Sequence, residues 1–192
     1  MARTPTVRLE LGYNAPGFQL PNTIDNQYLS FPDVKGKNGT VVMFICNHCP
    51  FVVHVIDELI RIGNDYKSQG IGFVAISSND AANYPNDSPE KMKQLAEENS
   101  FPFPYLYDED QNVAKAYFAA CTPDFSVFNA NNVCVYRGQL DESRPGNSEP
   151  NNGKDLREVL NALVGGTQIS KDQRPSIGCN IKWKVGNEPS YY

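Results

Sequence analysis

The sequence predicts an α/β fold in which helices cover both faces of a central sheet. Two apolar runs, TVVMFIC (40–46) and IGFVAISS (71–78), lack polar alternation, as is typical of strands buried on both faces. A stretch of helical periodicity separates them, which makes a βαβ unit with parallel strands. The length of 192 residues favours a single domain, 1–192, over two.

The elements before and within this unit follow from turn and helix signals. Residues 1–39 are rich in Gly, Pro and Asn, and the strand-like pieces at 18–20 and 28–31 predict an N-terminal hairpin. Pro50 suits the first turn of the helix between the buried strands, because its missing N–H costs nothing there. Gly70 suits the end of that helix.

The second half predicts three more helices and a hairpin. A serine cap followed by proline opens a helix over about 88–99, and a capping-box pattern precedes a short helix over about 108–118. Segments 124–128 and 133–137 flank Asn-Ala-Asn-Asn, which predicts a hairpin. The last helix covers 154–164 and ends at two glycines.

Composition and charge exclude several classes of protein. A net charge of −5 provides no basic face, so we expect no nucleic-acid partner. No apolar stretch is long enough to span a bilayer and the N-terminus lacks the apolar core of a signal peptide, so we expect a cytoplasmic protein with no membrane partner. Five scattered cysteines do not form a secreted disulfide framework, and in a reducing compartment a close pair is more often catalytic or metal-binding.

The motif CNHCP (46–50) carries the chemistry. Cys46 ends the first buried strand and Cys49 enters the helix, so both thiols lie at the carboxyl end of a parallel strand, where open α/β sheets bind ligands. Because N–H groups and the helix dipole favour an anion there, we expect the pKa of Cys46 to fall well below about 8.5, with His48 acting in the same direction. The two-residue spacing lets Cys49 resolve a mixed disulfide on Cys46.

With Thr122-Pro123 placed just before a later strand, this motif resembles the thioredoxin superfamily. The stretches YNAPGFQLPNTIDNQYLSF, YLYDEDQNVAKAYFAACTPDFSVFN and RPSIGCNIKW resemble its peroxiredoxin-like branch, which includes alkyl hydroperoxide reductase and thiol-specific antioxidant proteins. The resemblance covers 14–164 and the tail. It implies a thioredoxin-like fold with a central mixed sheet, a cis bond before Pro123, and a substrate groove lined by Thr122 and Pro123.

The chain departs from the peroxiredoxin pattern P-x-x-x-T/S-x-x-C. If Cys49 were the peroxidatic cysteine, the proline would fall on Val42 and the hydroxyl residue on Cys46. The histidine before the second cysteine resembles that of oxidising and isomerising relatives. This resemblance implies a less reducing couple than that of thioredoxin.

The leading hypothesis is a thiol-disulfide oxidoreductase in which Cys46 attacks, Cys49 resolves and His48 stabilises the thiolate. Its partners would be a protein or small-molecule disulfide as substrate and an external thiol as electron donor. We expect no metal and no other cofactor, because a metal site needs about four ligands and the sequence has no second CxxC. The alternatives are a thiol-dependent peroxidase and a redox-sensing or metal-holding binding module.

Two further cysteines are candidates for a third redox thiol. Cys121 lies just before Thr122-Pro123, where it is either an active-site thiol or a small packing residue. Cys179 lies in the extension of about 166–192, where alternation over 177–185 predicts a strand with one apolar face. We favour the interpretation that this strand covers a sheet edge or helix face, with Cys179 as a buried small residue. The alternative is that it folds over the CxxC end. Cys134 and His54 are expected to be packing residues.

Overall fold

The computed structural model describes residues 3–191. Its strands are β1 (Arg3–Pro5), β2 (Gln19–Pro21), β3 (Tyr28–Ser30), β4 (Gly39–Phe44), β5 (Ile71–Ser77), β6 (Tyr105–Tyr107), β7 (Cys121–Thr122), β8 (Asp124–Asn129), β9 (Cys134–Gly138) and β10 (Ile177–Asn180). Its helices are α1 (Phe31–Val34), α2 (Pro50–Lys67), α3 (Pro89–Glu98), α4 (Asn112–Ala116) and α5 (Lys154–Gly165), and a 3₁₀ turn covers Pro85–Asp87.

The central sheet has the strand order β6-β5-β4-β8-β9. The strands β4, β5 and β6 are parallel, whereas β8 and β9 are antiparallel to their neighbours, so the predicted mixed sheet and βαβ unit are confirmed. Successive side chains of β4 enter two different cores, Val41 and Met43 on the face of α2 and α5, and Val42 and Phe44 on the other face. Helices and the N-terminal hairpin of β2 and β3 therefore cover both faces, as the lack of alternation predicted.

Helix α2 positions the cysteine motif. It begins after Cys49 with Pro50 as its first residue, and the chain turns at Gly70, whose positive φ of 77° suits glycine. One side of α2 packs on the sheet through residues such as Val55, Leu59 and Ile62. Among residues 3–191, no helix combines the length and the apolar character needed to cross a membrane.

The predicted capping box before α4 is wrong. The Asp108 carboxylate accepts from the N–H groups of Val113 and Ala114 at 3.2 and 2.8 Å, so it caps a helix that begins only at Asn112. The Gln111 side chain instead donates to the carbonyl oxygens of residues 78 and 182. This glutamine joins the sheet to the C-terminal extension, which no local pattern indicates.

The strand of the extension is shorter than predicted. β10 ends at Asn180, and the segment that follows buries Ile181 and Trp183 in the core opposite α2, while Val185 is 95% exposed. β10 lies between β1 and β7 in a separate antiparallel sheet, with Cys179 opposite Thr122. The extension therefore covers the end of the domain that carries β7.

Gly178 allows β10 to approach β7 closely. A Cβ atom on Gly178 would lie 2.0 Å from the carbonyl oxygen of Thr122. Since that oxygen belongs to the backbone, it cannot move aside without shifting β7. The close crossing therefore requires a residue without a Cβ atom at this position, which is glycine.

We expect Gly178→Ala to lower the free energy of unfolding by about 1–3 kcal/mol, because the added methyl group pushes β10 away from β7. Gly165→Ala is the matched control, since its nearest neighbour would be 4.0 Å away and alanine favours the end of α5. Chemical denaturation of both variants measures the difference. Equal unfolding free energies for the two variants would contradict the close crossing.

Candidate active site

The candidate active site lies where β4 ends and α2 begins. Cys46 follows β4 by two residues, and Cys49 is the N-cap of α2, with its carbonyl accepting from the N–H groups of Val52 and Val53 at 2.9 Å each. Both thiols therefore lie at the carboxyl end of a parallel strand, where the sequence predicted them.

Thr122 contacts both sulfurs of the motif. The Thr122–Pro123 peptide bond is cis, as the resemblance implied. Cys46 Sγ lies 3.4 Å from Thr122 Oγ1, and Cys49 Sγ lies 3.1 Å from the Thr122 carbonyl oxygen. Cys46 and Cys49 are 1% and 0% exposed. The end of β7 thus closes over the cysteine pair.

Cys179 lies directly against this pair. Its Sγ is 2.8 Å from Cys49 Sγ, and its backbone is opposite Thr122 in the β10–β7 ladder. Because Gly178 lets β10 cross at Thr122, the tail both covers the edge of β7, as favoured, and folds over the CxxC end, as the alternative held. Cys179 is buried, as predicted, but among the thiols of the site. The glycine before it is the signal in the sequence that could have indicated this close crossing.

The third-thiol candidate Cys121, and Cys134 and His54, which were expected to be packing residues, lie outside the sulfur cluster formed by Cys46, Cys49 and Cys179. Cys121 Sγ is 3.9 Å from Thr6 Oγ1 and 3.6 Å from the Pro123 carbonyl oxygen, and burial raises its pKa well above the usual value. Cys134 is a buried residue of the core opposite α2. His54 Nε2 lies 2.5 Å from Ser143 Oγ in a part-buried contact.

Asp87 is a site residue that the sequence analysis missed. His48 Nδ1 lies 2.6 Å from Asp87 Oδ2, without the alignment of a hydrogen bond. The fully buried Asp87 carboxylate also accepts from the Asn47 N–H at 2.8 Å and from Asn79 Nδ2 at 2.7 Å. On its other side the imidazole stacks on Tyr84, with the rings 4° from parallel. Asp87 lies in a 3₁₀ turn about forty residues from the motif, where no spacing pattern identifies it.

The structure reverses the predicted order of acidity. The hydrogen bond with the Cys46 thiol lowers the pKa of Cys49 to about 5, although burial opposes this shift. Contacts with the Cys179 thiol, the Thr122 hydroxyl and the Val52 N–H act in the same direction. The same hydrogen bond to Cys49, together with burial and the nearby Asp87 carboxylate, raises the pKa of Cys46. The prediction of an acidic Cys46 is therefore wrong, because the hydrogen bond between the two thiols lowers the pKa of Cys49 and raises that of Cys46, and the Asp87 carboxylate acts against a thiolate on Cys46.

Three side chains of the site could hold a metal ion. The ligand atoms of Cys46, His48 and Asp87 all lie within 4.8 Å of one another. Thiolate, imidazole and carboxylate are ligands that Zn²⁺ accepts, and a catalytic zinc site has three protein ligands. In the structure, however, the Asp87 carboxylate is already bound by the backbone of Asn47 and by Asn79. A metal would compete with those hydrogen bonds.

A surface cavity adjoins the motif. Its volume is about 260 Å³, and its lining includes Asn47, His48, Asn86 and Lys91. A larger cavity of about 550 Å³ lies along α5, and none of its lining residues is a cysteine. The smaller cavity therefore provides an approach to the side of the site on which His48 lies.

Comparison with known proteins places the chain among thiol-redox proteins. A model of the AhpC/TSA family matches residues 11–137, about two thirds of the chain. A Mycobacterium tuberculosis protein provisionally named a peroxiredoxin is 28% identical over 116 residues, which cover 60% of this chain and 68% of the relative.

Solved structures extend the likeness over nearly the whole chain. An uncharacterized conserved protein from Geobacillus kaustophilus is 56% identical, with a TM-score of 0.94 over 96% of this chain and 97% of the other. A hypothetical protein from Sinorhizobium meliloti is 41% identical, with a TM-score of 0.93 over 95% of this chain and all of the other. The thioredoxin domain of a Bacteroides vulgatus thiol-disulfide oxidoreductase is 18% identical, with a TM-score of 0.61 over 80% of this chain and all of the other. This last similarity shows a thioredoxin-like fold.

The order of acidity can be measured by the ultraviolet absorbance of thiolate. We expect the reduced protein to show a thiolate transition near pH 5, which Cys49→Ala removes. Cys46→Ala should shift the transition to higher pH, because it deletes the contact that lowers the pKa of Cys49 most. Cys134→Ala is the control and should leave the transition unchanged. A low-pH transition that persists in Cys49→Ala would assign the acidic thiol elsewhere.

Proposed function

The chain belongs to the AhpC/TSA family, and on that premise we propose that it is a thiol-disulfide oxidoreductase whose redox couple is Cys46 and Cys49. The family match and the thioredoxin-like fold support an enzyme of the thiol oxidoreductase or peroxidase type. The observation that supports the dithiol couple is the placement of both sulfurs against Thr122 at the start of α2. Two thiols that share one proton there can close a disulfide with little chain movement.

In this proposal Cys46 is the attacking sulfur: the residue is 1% exposed, but it lies on the side of the pair that borders the surface cavity. Cys49 Sγ is surrounded by the Thr122 carbonyl, Cys179 Sγ and the Val52 N–H, so protein groups occupy the directions of approach. Cys46 lies beside His48, which lines the surface cavity. In this proposal Cys46 therefore meets the substrate, and Cys49 carries the negative charge.

The proton shared by the pair accounts for the first step. At rest the Cys46 thiol donates to the Cys49 thiolate, whose pKa is lowered to about 5. As Cys46 attacks a substrate disulfide, its proton passes to Cys49, a bond forms between Cys46 and one substrate sulfur, and the other substrate sulfur leaves as a thiolate. The protonated Cys49 can donate to the Thr122 carbonyl oxygen at 3.1 Å.

Resolution returns the site to an oxidised state. Cys49 loses its proton to the departing thiolate and attacks Cys46 Sγ, which forms the Cys46–Cys49 disulfide and releases the second substrate thiol. Two electrons have then passed from the protein to the substrate. An external thiol donor returns them by the reverse exchange.

His48 and Asp87 have positioning roles in this proposal. The Asp87 carboxylate and the Tyr84 ring hold the imidazole between them, on the cavity side of Cys46. An imidazole N–H there can donate to the thiolate that forms as Cys46 loses its proton. Asp87 also binds the N–H of Asn47, which fixes the turn between the two cysteines.

The substrate in this proposal is a protein or small-molecule disulfide that binds over Thr122 and Pro123, and no metal or other cofactor takes part. Five cysteines without a secreted disulfide pattern suit a reducing compartment, so we place the reaction in the cytoplasm.

A thiol-dependent peroxidase is the second candidate. The family match and the low pKa of Cys49 favour it, with Cys49 then taking the place of the peroxidatic cysteine. The pattern's proline and hydroxyl residue are replaced by Val42 and Cys46. Consumption of hydrogen peroxide with dithiothreitol as donor, lost in Cys49→Ser but retained in Cys46→Ser, would favour this function over the first.

Trapping of mixed disulfides tests the leading proposal. Cys49→Ser should accumulate a mixed disulfide on Cys46 when it is incubated with intact insulin or oxidised glutathione, because the resolving thiol is missing. Mass spectrometry of the alkylated protein locates the adduct. Cys46→Ser is the matched control and should trap at least tenfold less. Preferential trapping on Cys49 in the Cys46→Ser variant would reverse the two roles.

A further inference from the structure

The Cys49 sulfur lies between two other thiols rather than beside one. On one side it shares a hydrogen bond with Cys46, and on the other its Sγ is 2.8 Å from Cys179 Sγ. We propose that Cys179 is a third redox thiol, which exchanges with the Cys46–Cys49 disulfide to give a buried Cys49–Cys179 disulfide. This inference rests on the proposed function, since it takes the Cys46–Cys49 disulfide as its starting point.

The backbone holds Cys179 in the position that exchange requires. β10 is paired on both edges, with β1 and with β7, and Cys179 stands opposite Thr122 in the β7 register. Gly178 sets the distance between the two strands. A disulfide has an S–S length of roughly 2.05 Å, so the Cys49 and Cys179 sulfurs need to approach by less than about 1 Å.

The exchange step balances without an added oxidant. The Cys179 thiolate attacks Cys49 Sγ, the Cys49–Cys179 bond forms, and the Cys46–Cys49 bond breaks with Cys46 leaving as a thiolate. The proton that Cys179 gives up on attack is the proton that Cys46 takes up on leaving. The protein stays oxidised by two electrons, but the disulfide has moved from Cys46–Cys49 to Cys49–Cys179.

Burial makes Cys179 a slow attacker. Burial and the hydrogen bond to Cys49 raise the pKa of Cys179 to about 12, so its thiolate is scarce at neutral pH. The exchange therefore follows formation of the Cys46–Cys49 disulfide and does not compete with it. Its product returns Cys46 to the thiol form beside His48 and joins the start of α2 covalently to the C-terminal extension.

Disulfide mapping of the full-length protein tests the exchange. The reduced protein is oxidised with one equivalent of diamide, quenched in acid at increasing times, alkylated and digested with trypsin. Cys46 and Cys49 share the tryptic peptide 38–61, Cys179 lies in 172–182, and Cys134 lies in 116–137. We expect an internal link in 38–61 first, and later a cross-link of 38–61 to 172–182 in which Cys46 is alkylated.

The variants separate this inference from the proposed function. Cys179→Ser should keep only the Cys46–Cys49 link, Cys134→Ser should behave as the wild type, and directly oxidised Cys46→Ser should form Cys49–Cys179. If the wild-type protein closes Cys46–Cys49 and Cys49→Ser traps substrate, while neither the wild type nor Cys46→Ser ever joins 38–61 to 172–182, the third thiol is overturned and the oxidoreductase stands. Absence of both the Cys46–Cys49 link and substrate trapping overturns the proposed function itself.

Discussion

The site depends on the position of one residue, Thr122, at the end of β7. Its hydroxyl contacts Cys46, its carbonyl oxygen contacts Cys49, and its backbone is paired opposite Cys179. These contacts bring together segments from the start of α2, the middle of the chain and the C-terminal extension. Any shift of β7 would therefore change the surroundings of all three sulfurs at once.

A buried polar network holds the chain next to Thr122. Asp124 accepts from Thr6 Oγ1 at 3.0 Å and lies 3.4 Å from the Arg137 guanidinium, with both partners almost fully buried. Arg137 also donates to the carbonyl oxygens of Tyr117 and Phe118 at 2.9 and 2.7 Å. Because loss of either charge would leave the other buried without a partner, the network tolerates little rearrangement. It fixes the end of β7 relative to the start of β8 and to the residues after α4.

The parts of the site that local sequence signals determine could be predicted. An apolar run followed by a cysteine pair and Pro50 locates the strand end and the helix start, and the resemblance supplied the cis bond at Pro123. The parts that depend on distant contacts could not. Cys49 and Cys179 are 130 residues apart, and alternation in the tail indicates a buried face without indicating which surface it meets. The prediction of the order of acidity failed because the order depends on the hydrogen bond between Cys46 and Cys49, and further on the distant Asp87 near Cys46 and Cys179 beside Cys49.

The central claim is that Cys46 and Cys49, packed against Thr122, form a redox couple in which the hydrogen bond with the Cys46 thiol, helped by Cys179 and the Val52 N–H, stabilises a thiolate on Cys49. Stabilising the thiolate favours the reduced form and makes a couple more oxidising, as the span from thioredoxin at about −270 mV to DsbA at about −120 mV illustrates. Equilibration of the protein with thiol-disulfide buffers, with the Cys46–Cys49 link quantified by mass spectrometry, gives its reduction potential. The account predicts a two-electron transition at a potential less negative than about −270 mV. A potential at or below that value, or the absence of a Cys46–Cys49 transition, would contradict it.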